Sequence, residues 1–201
     1  KDYSNALNNF KNFESAATNM KPEVLNDTRN RIEDCYYIAT SYPSAISYYD
    51  KVIEYGKLNA DHAMFQKGFS LGLINDTKGK IDVLTALIQK YPSSTYVPNA
   101  IFERGRAYLV LEEFKKGESD FNTIISDYPG SSFVPRSIVQ LGLLYYNIGE
   151  NEKAISQYKK VIGTYKSTPE ARDALTGLRN SYVDLNDVDA YFTYAKTLDG
   201  Y

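Results

Sequence analysis

Apolar residues in this chain recur at intervals of three, four and seven, and strict alternation is absent throughout. Ile101, Tyr108 and Leu111 form one such stripe, and Phe114, Phe121, Ile124, Ile125 and Tyr128 form the next. These intervals gather the residues on one face of a helix, so the pattern predicts successive amphipathic helices and no sheet. The breakers fall between the stripes. Pro92 and Pro129 each follow a helix end and stop it, since proline has no N–H for the next turn. Pro98 and Pro135 follow Ser/Thr-rich stretches and belong in a first helical turn, where the missing donor costs nothing. Gly149-Glu150-Asn151-Glu152 supplies a tight turn. Tyr42-Pro43-Ser44 belongs at a turn within a helix pair, by its register relative to Tyr36 and Tyr49.

The pattern repeats. Tyr91-Pro92-Ser93-Ser94-Thr95-Tyr96-Val97-Pro98 returns 37 residues later as Tyr128-Pro129-Gly130-Ser131-Ser132-Phe133-Val134-Pro135. Gly68, Gly105 and Gly142 keep that spacing, as do Leu71, Tyr108, Tyr145 and Tyr182, and Leu84, Phe121 and Tyr158. Tyr36, Ala45, Tyr49 and Val52 extend it backwards with about two residues deleted, and Ala6, Phe10 and Phe13 imitate the last three of these. Each unit is then a pair of helices, A and B, that cannot bury its apolar face alone and must stack on its neighbours.

These residues resemble the tetratricopeptide repeat family. Its helix-A signature is present as Ile138, Leu141, Gly142 and Tyr145, and its helix-B positions hold Ala154, Tyr158 and Val161. Ile101, Gly105, Tyr108, Gly117, Phe121, Ile124 and Pro129 fill the same slots one unit earlier. Lys80 and Arg179 depart from it, standing where a small residue and a glycine are expected. The resemblance implies an all-α, right-handed α-solenoid of tandem helix-turn-helix repeats with a period of about 37 residues. One such solenoid over 1–201 would comprise a partial repeat at 1–23, then repeats at 24–60, 61–97, 98–134, 135–171 and 172–201. Glycines at 105 and 142 would let helix A approach helix B. The 37-residue spacing and Tyr-Pro-x-Ser linkers are most similar to repeat proteins of the bacterial cell envelope, of the outer-membrane-assembly lipoprotein and periplasmic cell-division types. A periplasmic or envelope location is the expectation, with a cytoplasmic one left open. The N-terminus, which lacks Met, and the apolar Tyr191, Phe192 and Tyr194 suggest a fragment of a longer repeat protein, or a homodimer packed through repeat ends.

Chemistry is sparsely represented. Cys35 is the single cysteine and His62 the single histidine, in different units, so neither a thiolate-rich metal site nor a catalytic triad is expected, nor any cofactor. Cys35 precedes Tyr36 in an A stripe and is expected as a small buried hydrophobe; His62 is expected as a solvated or capping residue in the linker before helix A. Asn75-Asp76-Thr77-Lys78-Gly79-Lys80 lacks the leading glycine and the strand of a phosphate loop and is a turn. A formal charge of -2 argues against a nucleic-acid partner, and no apolar run approaches the ~20 residues of a membrane span.

The function expected is therefore a non-catalytic scaffold for a protein or peptide partner, the alternative being a structural spacer or oligomerisation segment. In the family, helix A lines a concave groove. Carried over, that groove comprises Phe65, Phe69, Phe102, Arg106, Arg136, Leu143 and Tyr146, flanked by Leu109 and Val139, which are expected to pack between repeats instead. The lysine and asparagine clamp of the chaperone-binding members is missing, its slots holding Phe65, Phe69, Phe102, Arg106, Val139 and Leu143.

Overall fold

In a computed structural model the described residues are 2–16 and 19–198, and they form eleven helices and no strand. They are α1 (Tyr3–Ala16), α2 (Pro22–Ile38), α3 (Tyr42–Tyr55), α4 (Ala60–Leu73), α5 (Thr77–Lys90), α6 (Val97–Val110), α7 (Phe114–Asp127), α8 (Phe133–Asn147), α9 (Asn151–Thr164), α10 (Pro169–Asp184) and α11 (Val188–Ala195). Even-numbered helices are the A helices and the odd-numbered helices from α3 to α11 the B helices of the repeat. Residues 1, 17, 18 and 199–201, which the expected repeat boundaries take in, lie outside the described set. The prolines fall as the pattern requires: Pro43, Pro98 and Pro135 in first turns, Pro92 and Pro129 just past helix ends.

The turn inside each helix pair is the same left-handed turn. Its central residue has positive φ in all five: Thr40, Asn75, Glu112, Gly149 and Asn186. The following N–H reaches back to the last turn of helix A, from Ser41 to Tyr36, Asp76 to Leu71, Glu150 to Tyr145 and Asp187 to Tyr182, at 2.8 to 2.9 Å. That pattern satisfies carbonyls a helix end leaves orphaned. Only one of the five uses glycine. Asp76 and Asp187 also cap the helices that follow, accepting from Gly79 N and Ala190 N, so residues 75–80 are turn and helix start, as expected.

The chain divides into two compact units, Lys1–Leu111 and Glu112–Tyr201. In the first, Ile32, Ala45, Tyr49, Val52, Leu84 and Leu87 are buried, and α4 and α5 meet at Gly68, where an added Cβ would lie 2.8 Å from Leu84. In the second, the ring of Tyr158 on α9 fills the same place against α8: a Cβ on Gly142 would lie 2.5 Å from it. Gly177 of α10 abuts the same ring so closely that a Cβ there would overlap it. A backbone without a side chain is what lets a large ring sit between helices at native density.

Candidate functional site

The A helices of the first unit present one face of aromatic, aliphatic and charged groups. On α4, Phe65 and Phe69 lie one turn apart, with ring centroids 6.4 Å from each other. Phe65 stacks at 5.4 Å on Tyr96, the residue preceding α6, and both phenylalanines are half-buried. His62 is the third residue of α4 rather than part of the linker before it; its ring lies 5.3 Å from Tyr96 and it contacts Gln66. Phe102 departs from the expected surface: it is 7% exposed. Ala100 through Glu103 on α6 are all buried, a wider covered face than the family register implies, and Phe102 falls within it.

The charge at this face is organised by residues that motif reasoning did not assemble. Lys80 of α5 donates to Glu103 of α6 at 2.6 Å, with both side chains nearly buried. Arg106, one turn along α6, reaches the other oxygen of Glu103 at 3.2 Å and is 54% exposed. Lys80 threads past Gly72, where a Cβ would lie 3.1 Å from its stem, and its ammonium sits 5.7 Å from the Phe69 ring. Two cations therefore share one carboxylate, which compensates the desolvation of Glu103 and leaves one positive charge over. Lys80 was visible as a misfit at a small-residue slot. Its need for a counter-charge was the signal that could have led to Glu103.

Three aliphatic residues close the same helices. Ile38, Leu73 and Val110 occupy the last positions of α2, α4 and α6 and are 49%, 45% and 70% exposed. They recur with the repeat, so the exposure is a property of the slot and not of one loop. Asp34, one turn before Ile38, is exposed and, among the described residues, makes no ion pair within 4 Å. Burial of its surroundings pushes its pKa up, against the nearby His62 and Arg31.

In the second unit the equivalent face is more polar and its cation is paired. Arg136 bonds Glu170 at 3.1 Å and lies 5.4 Å from the Phe133 ring. Leu143 is exposed, and Tyr146 is half-buried with its hydroxyl on Asp184, which raises the phenol pKa. Leu109 and Val139, expected in packing, are both half-buried. A separate shallow cleft of about 520 Å³ opens where α7 begins, floored by Phe114, Leu144 and Ile148 and rimmed by charges of both signs.

Cys35 is buried, and burial raises its thiol pKa, the neighbouring Asp34 adding to the effect. Among the described residues no group of three or more His, Cys, Asp or Glu is placed to hold a metal ion. No helix among the described residues is long and apolar enough to cross a membrane.

The tetratricopeptide repeat family profile matches residues 62–94 and 136–168. No curated protein sequence matches the chain. Among solved structures, the MamA protein is similar at TM-score 0.70 and 21% identity, over 85% of this chain and 88% of that one. A tetratricopeptide repeat protein from Parabacteroides merdae ATCC 43184 is similar at TM-score 0.75 and 14% identity, over 96% and 70%. The apo form of RapI reaches TM-score 0.82 at 12% identity, over 98% of this chain and 58% of that one. These likenesses are of fold: all-α, in tandem tetratricopeptide-like helix pairs.

Proposed function

We propose that this chain is a non-catalytic interaction scaffold that takes a segment of a partner protein along the exposed face of its A helices. The observation that carries the reading is the repeated exposure of Ile38, Leu73 and Val110 beside the half-buried rings of Phe65 and Phe69. Exposed aliphatic residues scattered singly mean little, but a recurrent set on adjoining helices marks a partner surface. In the second unit Arg136, Leu143 and Tyr146 form the corresponding face. A random peptide library panned on the chain tests this. Enriched peptides should lose at least about tenfold in affinity on Leu73→Asp and Val110→Asp, while the melting temperature stays where it was. No enrichment, or enriched peptides indifferent to both substitutions, overturns it.

The spacer reading has its own observation: Val183, Val188 and Phe192 are exposed on α10 and α11. In it these apolar faces dock on the rest of a longer chain or on a second copy, and light scattering reads the second case directly as mass. A bacterial envelope location is inferred from the 37-residue spacing and the Tyr-Pro-x-Ser linkers; fractionation of the host cell tests it.

A further inference from the structure

The two ends of the A-helix face in the first unit carry opposite charge. One helical turn before each exposed aliphatic stand Asp34 on α2, Phe69 on α4 and Arg106 on α6. At the α6 end, Lys80 and Arg106 hold a single carboxylate, Glu103, so one positive charge remains and the half-exposed guanidinium of Arg106 displays it. At the α2 end, Arg31 lies 3.8 Å from Asp27, and among the described residues no basic group comes within ion-pair distance of Asp34, so its exposed carboxylate is displayed there with Arg31 and His62 nearby. Between them Phe69 and Leu73 are neutral. From α2 to α6 the face thus runs from acid, through apolar, to base.

We propose that the occupant of this face is a charge-polarised aliphatic segment: a run of aliphatic side chains against Ile38, Leu73 and Val110, with a basic group at its Asp34 end and an acidic group at its Arg106 end. The proposal rests on the scaffold reading of the preceding subsection and adds the partner's chemistry to it. Opposite charges displayed at the two ends of an apolar strip select a segment and set its direction, because a like charge at either end is repelled. Neighbouring packed helices lie about 10 Å apart, and an extended chain rises about 3.3 Å per residue. An occupant that crosses the helices therefore presents an aliphatic side chain about every third residue.

The probes are three synthetic peptides of about nine residues. Each carries leucine at every third position among serine and glutamine, and they differ only in their end groups: lysine and glutamate, two lysines, or two glutamates. Against the whole chain, fluorescence anisotropy should show the lysine–glutamate peptide bound about fivefold more tightly than either like-charged one, with the difference lost in high salt. Arg106→Glu makes both ends negative and should turn the preference to the two-lysine peptide. Asp34→Lys makes both ends positive and should turn it to the two-glutamate peptide. Arg106→Gln, which leaves the Lys80–Glu103 pair in place, should erase discrimination at that end and serves if Arg106→Glu unfolds the hairpin. Three peptides binding equally, with affinity still lost on Leu73→Asp, would overturn the charge assignment and leave the scaffold reading standing. No binding by any of the three would remove this face as the site and both statements with it.

Discussion

The hairpin of α8 and α9 and the hairpin of α2 and α3 meet the same packing requirement with different chemistry. In the former, Gly142 yields space and the Tyr158 ring occupies it, with Gly177 of α10 against the same ring. In the latter, allowing for the two-residue deletion, the glycine slot holds Glu33 and the ring slot holds Tyr49. Glu33 is 0% exposed and neither of its carboxyl oxygens has a hydrogen-bond partner. Burial, with the Asp34 carboxylate adding to it, pushes its pKa up to about 9. Tyr49 opposite, raised chiefly by its own burial and further by Glu33 and Asp34, stays a neutral phenol. Asn26 and Asn30, on the same helix, also hold orphaned polar atoms. One hairpin is closed by shape; the other is held together with a neutralised acid inside it. A packed ring gains from every neighbour it touches, whereas an unpartnered polar group sets a desolvation cost against its packing.

The largest effect should come from emptying the closed hairpin. Tyr158→Ala removes a ring packed against two helices and should cost about 3–5 kcal/mol in chemical denaturation. A loss under about 1 kcal/mol, within reach of an ordinary surface change, would mean that the ring does not hold α8, α9 and α10 together.

Next comes Glu33. Its folded pKa lies above the unfolded value, so the folded state keeps a proton that the unfolded state releases, and stability falls as pH rises between about 4.5 and about 9. Glu33→Gln removes this titration and should stabilise the protein at pH 7 by about 1–3 kcal/mol. Melting curves from pH 5 to pH 9 should flatten in the variant. Parallel curves for variant and parent would show that Glu33 is ionised and solvated in the folded protein.

Gly142→Ala adds one methyl against a ring that cannot retreat and should cost about 1–3 kcal/mol. An unchanged melting temperature would place helix A farther from helix B than the 2.5 Å approach implies. The smallest effects belong to the shared left-handed turn. Gly149→Ala should cost about 1 kcal/mol, and Glu112→Gly should gain somewhat less, since only glycine takes positive φ without strain and also loses the most entropy on folding. Opposite signs at the two positions would establish that the turn is under the same constraint in both repeats.

The sequence by itself determined the repeat, the helices and their breakers. Period 3.6, proline and glycine act over a few residues, and a 37-residue recurrence needs no knowledge of what touches what. The packing slots followed, which is why Gly68, Gly142, Leu84 and Tyr158 stand where the pattern put them. The left-handed turns were legible only at Gly149, because Glu112 and Asn75 adopt that conformation under constraint from the helices they join. The face itself depended on tertiary structure. Whether a ring at a given slot is open or covered depends on how closely the next helix approaches, and that decided that Phe102 is buried while Phe65 and Phe69 are only half-buried. Lys80 finds Glu103 across 23 residues, and Gly177, outside the repeat register, serves a ring on the preceding helix. Local pattern fixes where a helix forms and which way a residue points; only the neighbouring helices settle how far its charge is desolvated and what stands opposite it.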